Sequence, residues 1–497
     1  MKILYLSPEM HPYAKVGGLA DVAGSLPAAL ADRGHEVVVV LPKYGGIDVD
    51  EFGIQPTDLS ARFHLDGRPA GGRFWKAAPR PNLDVYFLEH HDYYAREGLY
   101  GGPGGDYPDN LQRFANWCRA ALELARALDW PPDVLHANDW QSAPAVIYLK
   151  TLCAADPFFA RTKALFTIHN MAYQGYFPKS LLPATGLPWD VFTMDGVEFY
   201  GDINLMKGGI MYADWISTVS RTYAREIQTP EFGCGLEGVL EFKKKRLSGI
   251  LNGVDYSEWN PESDPHIAAQ YSARDLAGKA RCKAALQEEF DLEARANIPV
   301  LGMVARLVEQ KGIDLVAAIL PDLLSEHRIQ LVVLGNGERH YQEILERLAA
   351  EYPHALGLRV GFDPPLAHRI EAGADMFLMP SRHEPCGLNQ MYSLRYGTPP
   401  IVRKTGGLAD TIVNYSPRTG KGNGFVFSKP EAAELGKAVR AALKLFAERK
   451  AWTAVMKNAM AADFSWDKSA VEYEKLYRQL APEPAIKKAT ARKRKRP

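Results

Sequence analysis

Short apolar runs rich in β-branched residues recur along the chain, each closed by turn-forming residues and separated by stretches with helical spacing. The first set covers Lys2 to Ser7, His35 to Pro42, Leu83 to His90, Asp133 to Asn138, Lys163 to His169 and Asp214 to Ser220. Runs of this kind read as strands, and their alternation with helices predicts a parallel sheet joined by right-handed crossovers. After Asn252 the alternation pauses over a polar, proline-containing stretch, Trp259 to Pro265, and a helical segment, Ala280 to Phe290. A second set follows at Val300 to Arg306, Gln330 to Gly335, Leu358 to Phe362, Met376 to Pro380, Pro400 to Arg403 and Gly424 to Phe427. The expected fold class is α/β, with two doubly wound units in tandem and a linker near Gly253. Ligands of such sheets bind beyond the carboxyl ends of the strands, so the crevice between the units is where a site is expected.

One echo links the halves: Gly17-Gly18-Leu19-Ala20-Asp21 recurs as Gly406-Gly407-Leu408-Ala409-Asp410, each time ahead of a helix. Leu19, Val22, Ala23, Leu26 and Leu30 keep helical spacing, with Pro27 marking a kink. Paired glycines alone merely end loops. Two copies opening on one crevice point to backbone close to a ligand.

Composition narrows the classes. Lys plus Arg equals Asp plus Glu at 59 each, so no overall field recruits nucleic acid or an anionic membrane. The five cysteines are scattered without a C-x-x-C pair, which fits a reduced, cytoplasmic setting. The opening MKILYLSPEM is patterned as a first strand and is too short for a signal segment, and no run of about 18 apolar residues occurs. The last segment, Lys487 to Pro497, holds seven basic residues and no apolar pattern, and reads as a solvated, disordered tail whose partner is open.

Candidate chemistry gathers at strand ends. Lys15 precedes Gly17 and Gly18, a cation beside exposed backbone N–H groups, and so a cradle for phosphate or sugar. Arg306 and Lys311 share one strand-to-helix loop and are placed to converge on an anion; a departing diphosphate needs such neutralisation. Glu384, within Pro380 to Gln390, follows an apolar strand, where a carboxylate accepts sugar hydroxyls or stabilises an oxocarbenium-like centre. Cys386 beside it reads as structural or substrate-lining rather than nucleophilic. Asp139 and His169 end two strands of the first half; the aspartate is placed to hold a sugar hydroxyl and the histidine to donate to the sugar or assist departure. Each histidine at these strand ends, His136 and His169, also has the plainer reading of a satisfied interior group. Asp48 and Asp50 have a D-x-D form but sit in an acidic, glycine-rich stretch and read as a solvated loop, so no metal site is expected.

Taken together, KVGGLADV, HANDW, TIHN, the stretch Gly208 to Glu237, ILNGVD, RLVEQKG, PSRHEPCGLNQMYSLRYGTPP and VRKTGGLADT resemble the bacterial glycogen synthases and plant starch synthases, from Lys2 to about Tyr477. The resemblance implies a GT-B fold, two Rossmann-like units facing a deep cleft: 1–253 for the glucan acceptor, 254–462 for the nucleotide sugar, a terminal helix in 463–482 crossing back, and a basic tail at 483–497. It implies metal-independent, retaining transfer of glucose from ADP-glucose to the 4-hydroxyl of an α-1,4-glucan such as glycogen, with no cofactor. Lys15, Asp139, His169, Arg306, Lys311 and Glu384 match the family's catalytic positions. Gly17, Gly18, Asp21, Asn252, Cys386, Gly387 and Leu388 match substrate-binding ones; Phe362 is expected to stack on adenine, and Thr405, Gly406 and Gly407 to offer donors to the distal phosphate. Two departures stand out: Asn138 where many relatives have a second histidine, and His383 where an aromatic is usual. Tyr392 replaces the second glutamate found in the broader superfamily, which favours glucan synthases. A nicotinamide dehydrogenase would need G-x-G-x-x-G after the first strand, and Gly335 and Gly337 lack the third glycine. A phosphorylase would need a pyridoxal-binding lysine context that is not identified, and an inert glucan-binding protein would be expected to have lost Lys15 or Glu384.

Overall fold

The computed structural model describes residues 1–102, 104–326 and 329–482; the basic tail lies outside them. Valine-rich runs such as Glu36–Pro42 are buried nearly throughout, as strands covered on both faces must be. They form two sheets. The first has nine strands: β1 (Lys2–Leu6), β2 (Glu36–Pro42), β3 (Gln55–Leu65), β4 (Arg68–Arg80), β5 (Leu83–Glu89), β6 (Val134–Asn138), β7 (Lys163–Ile168), β8 (Trp215–Thr218) and β9 (Leu247–Gly249). Their order is β9-β8-β7-β6-β1-β2-β5-β4-β3, parallel except for the β3–β4–β5 edge.

The second sheet has six parallel strands: β10 (Val300–Val304), β11 (Gln330–Gly335), β12 (Leu356–Val360), β13 (Met376–Met379), β14 (Pro400–Arg403) and β15 (Phe425–Phe427). Its order, β12-β11-β10-β13-β14-β15, is the Rossmann arrangement, with the strand order reversing between β10 and β13. In the first sheet the reversal falls between β1 and β6. These two switch points are where loops splay apart and leave room for ligands.

Helix α1 (Gly18–Asp32) buries Leu19, Val22, Ala23, Leu26 and Leu30 and continues through Pro27 as one element. The helix expected at Ala280 to Phe290 spans Ala277–Glu289. The terminal helix, α7 (Trp466–Leu480), crosses back onto the first half: Trp466, Tyr473 and Tyr477 join its core, as do Cys386, Met391 and Tyr392 of the second half. At the linker a Cβ on Gly253 would stand 2.6 Å from the Trp466 Cα, so the return of this helix requires glycine there. Among the described residues no helix is long and apolar enough to cross a membrane.

Candidate functional site

Lys15, Asp139, His169, Arg306, Lys311 and Glu384 all follow the carboxyl end of a strand, on the loop or at the start of the helix beyond it. After β1 the chain turns through Glu9, buried, whose Oε2 accepts the N–H groups of Val16 at 2.7 Å and Gly17 at 2.8 Å while Oε1 accepts the Tyr100 hydroxyl at 2.6 Å. The Gly17 N–H expected to cradle a ligand is therefore committed to Glu9, and Lys15 reaches sideways to Asp21 at 2.5 Å. Sequence reasoning missed Glu9, for which the only signal was an acidic residue just past the first strand.

Asp139 follows β6 with φ of +56°, opening helix α2 (Asp139–Lys150), and its Oδ1 accepts the backbone N–H of His169 at 2.7 Å. Burial pushes its carboxyl up to about 7, with the N–H groups of His169 and Asn170 opposing and the Glu9 charge adding. Asp139 thus ties the ends of β6 and β7 together. His169 Nε2 lies 2.9 Å from Asn138 Oδ1, and burial lowers the ring's pKa to about 3, so it is neutral at any physiological pH. A neutral ring acts through hydrogen bonds, with one N–H donor and one acceptor nitrogen, rather than as a cationic acid. His136 fulfils the plainer reading, with Nδ1 2.7 Å from the Tyr477 hydroxyl of α7 and Nε2 2.6 Å from Thr167 Oγ1.

In the second half Arg306 and Lys311 leave β10, and Glu384 leaves β13, so all three stand at the switch point. Lys311 Nζ meets Glu384 Oε2 at 2.6 Å, and Ser381 Oγ donates to the same oxygen at 2.9 Å. Glu384 is only 6% exposed. The two loops are laced further by Gln310 to the His383 carbonyl and by Arg382 to Asp314. Helix α4 (Ile313–Glu326) follows Lys311 directly, and α5 (Asn389–Arg395) follows the Glu384 loop. Burial raises the Cys386 thiol to about 12, which favours the protonated form and fits a packing or substrate-lining role. Gly387 has a φ of +69°, and Phe362 lies just past β12 and is 81% exposed. Asn252 is buried, with Oδ1 unpartnered among the described residues.

The second glycine pair is explained by packing. Helix α6 (Gly406–Thr411) abuts the Glu384 loop so closely that a Cβ on Gly406 would stand 1.9 Å from the Glu384 carbonyl oxygen, and one on Gly407 1.9 Å from that of Cys386. Gly407 N–H donates to the Glu384 and Pro385 carbonyls. The Gly406 N–H and Thr405 Oγ1 donate to Glu226, at the end of α3 (Arg221–Glu226) in the first half. Asp410 of α6 accepts in return from Thr222 N–H and Oγ1, and Ser220 Oγ donates to the Pro385 carbonyl. The donors expected for the distal phosphate are thus engaged within the protein. This crossed pair of carboxylates, with the Arg306–Tyr173 contact at 3.4 Å and Leu388 lying against Gly18, brings the two switch points face to face. Glu226 and Ser381 lie in motif stretches the sequence singled out, but their roles, like that of Asn138, were not read from it.

Among the described residues no group of three or more His, Cys, Asp or Glu side chains is placed to share a metal. Asp48 Oδ1 accepts the N–H groups of Asp50 and Glu51, closing a turn.

The arrangement has known counterparts. The family profile for the starch synthase catalytic domain matches residues 2–242, and that for glycosyl transferases group 1 matches residues 286–458. A glycogen synthase from Anaeromyxobacter dehalogenans (strain 2CP-C) is 52% identical over 484 residues, covering 97% of this chain and all of that one. A glycogen synthase from Koribacter versatilis (strain Ellin345) is 48% identical, covering 96% of this chain and 98% of its own. Among solved structures, the catalytic domain of starch synthase IV from Arabidopsis thaliana, bound to ADP and acarbose, matches with a TM-score of 0.90 at 34% identity, covering 97% of this chain and 99% of that one. A sucrose-phosphate synthase from Thermosynechococcus elongatus, 18% identical, shares the fold at a TM-score of 0.59 over 96% of this chain and 98% of that one. Two facing Rossmann-like units with this likeness define a glycosyltransferase of the GT-B class. Within that class the chain belongs to the glycogen and starch synthase family.

Proposed function

We propose that this enzyme transfers glucose from ADP-glucose to the non-reducing 4-hydroxyl of an α-1,4-glucan, with retention of anomeric configuration. The observation that carries the reading is the meeting of two switch points, one bearing Arg306, Lys311 and Glu384 and the other Lys15, Asp139 and His169. Residues 254–462 hold the nucleotide sugar and residues 1–253 the glucan. Phe362 offers its exposed ring to adenine, and Asn252, Gly387 and Leu388 are assigned, with Cys386, to binding substrate.

Lys311 carries three N–H donors and uses one on Glu384, leaving two for diphosphate oxygens beside Arg306. Its charge meets negative charge that grows as the glycosidic bond breaks, the condition under which a fixed cation accelerates the reaction. With Oε2 of Glu384 held by Lys311 and Ser381, the other oxygen is left to orient a sugar hydroxyl and to stabilise the oxocarbenium-like centre. The acceptor 4-hydroxyl attacks from the face that the diphosphate leaves, and the diphosphate takes its proton. Neutral His169 supplies none. Gly406 N–H and Thr405 Oγ1 reach the distal phosphate once Glu226 withdraws. The protein's own cations neutralise the leaving group, and no divalent metal is required.

The test is nucleotide release from ADP-glucose and from UDP-glucose with glycogen as acceptor, with and without excess EDTA. ADP-glucose is expected to give the faster release, unchanged by EDTA. Loss in EDTA restored by magnesium would overturn the metal-free mechanism and reopen Asp48 and Asp50.

A further inference from the structure

Asn138 ends β6 inside the first half, and its amide has only one possible orientation. Nδ2 donates to the Leu6 carbonyl at 2.9 Å, an oxygen that only accepts. The atom facing His169 is therefore Oδ1, which also takes the Tyr5 hydroxyl at 3.3 Å. An amide oxygen cannot donate, so the hydrogen in the 2.9 Å contact belongs to His169 Nε2. A neutral imidazole carries one N–H, so Nδ1 is left with a bare lone pair. Nδ1 makes no hydrogen bond to the described residues, and it is not among the buried atoms sealed from solvent.

We propose that Asn138 is a positioning residue that fixes the tautomer of His169, so that the ring presents Nδ1 as an acceptor to a sugar hydroxyl in the cleft. The Leu6 carbonyl orients Asn138, Asn138 orients the ring, and the ring selects a hydroxyl donor at one point of the sugar. Asp139 fixes the same residue from its backbone side, through the His169 N–H. Two anchors on one histidine leave neither its place nor its tautomer free. Burial reinforces the arrangement by keeping the ring uncharged. The proposal rests on the reading of the cleft as a sugar site.

The experiment uses the full chain labelled with ¹⁵N-histidine, with the His169 ring signals identified by their absence in His169→Gln. Wild type is expected to show one neutral tautomer at His169, with the hydrogen on Nε2. Asn138→Leu, which removes the acceptor, should give a mixture of tautomers and lower kcat about tenfold while leaving the donor KM within about twofold, the effect of one misdirected hydrogen bond. Asn138→Asp retains an acceptor and should retain the Nε2–H tautomer. A wild-type ring protonated on Nδ1, or an Asn138→Leu variant with an unchanged ring spectrum, would overturn the proposal. Should the leucine variant not fold, the wild-type and aspartate spectra still decide it. The ring spectrum needs no turnover, so an inactive wild-type enzyme would sink the proposed function and leave this test standing.

Discussion

Glu384 is held through one oxygen by a cation and a hydroxyl, and its burial makes that arrangement rigid. A preorganised charge of this kind commonly accounts for about two or more orders of magnitude in rate. Glu384→Ala should lower kcat at least about a hundredfold while circular dichroism shows that the fold persists, with some loss of melting temperature because Lys311 is left without its partner; near-normal turnover in the folded variant would refute its role. Asp139 offers a second, independent expectation through pH. Burial pushes its carboxyl up to about 7, well above the ordinary aspartate range of about 4, so the folded state binds the extra proton over that interval. The contribution of Asp139 to stability is then fully present below about pH 4 and is lost as pH rises through about 7. Asn tolerates the positive φ at this position and keeps an acceptor for the His169 N–H. The melting temperature of Asp139→Asn relative to wild type should therefore rise between about pH 4 and pH 8, and a constant difference would contradict the assignment. At this scale the sequence revealed which charged residues end strands, because strand ends follow from the apolar pattern. It concealed the roles of Asn138 and Glu226, because each acts through a partner distant in sequence that only the folded chain brings near.

Strands were legible where both faces are buried, as in Glu36–Pro42, since such runs are continuously apolar. The hairpin of β3 and β4 was not: Gln55–Leu65 is exposed over most of its length, and Gly71 and Gly72 break its partner's pattern. The doubled Gly-Gly motif was visible as an echo, but its two copies serve different ends. Gly17 gives its N–H to Glu9, whereas Gly406 and Gly407 allow α6 to touch the backbone of the Glu384 loop. A methyl group at Gly407 would force these two backbones apart, while one at Gly18 would meet Leu388 Cδ1 at an ordinary 3.6 Å. Gly407→Ala should therefore depress kcat more than about tenfold by displacing Glu384, and Gly18→Ala should stay within about threefold. Steady-state kinetics on both variants decide it, and equal effects would show that the close approach does not position the carboxylate.

The two-unit organisation was readable from the pause after Asn252, because a second set of alternating strands needs a second sheet. What joins the units was not readable. The Glu226–Gly406 and Asp410–Thr222 bonds, and the Tyr477–His136 contact through which α7 reaches back beneath the site, link residues more than 170 positions apart. Their effect is to set the loops bearing Arg306, Lys311 and Glu384 opposite those bearing Lys15, Asp139 and His169; the proposed mechanism puts the acceptor hydroxyl and the leaving diphosphate on one face of the sugar. Stereochemistry follows from that placement, and the anomeric configuration of the first product tests it most directly. With ADP-glucose and a maltooligosaccharide, proton NMR of the early reaction should show one new α-1,4-linked glucosyl unit for each ADP released. A β-linked product, or ADP release into water without chain extension, would contradict the account.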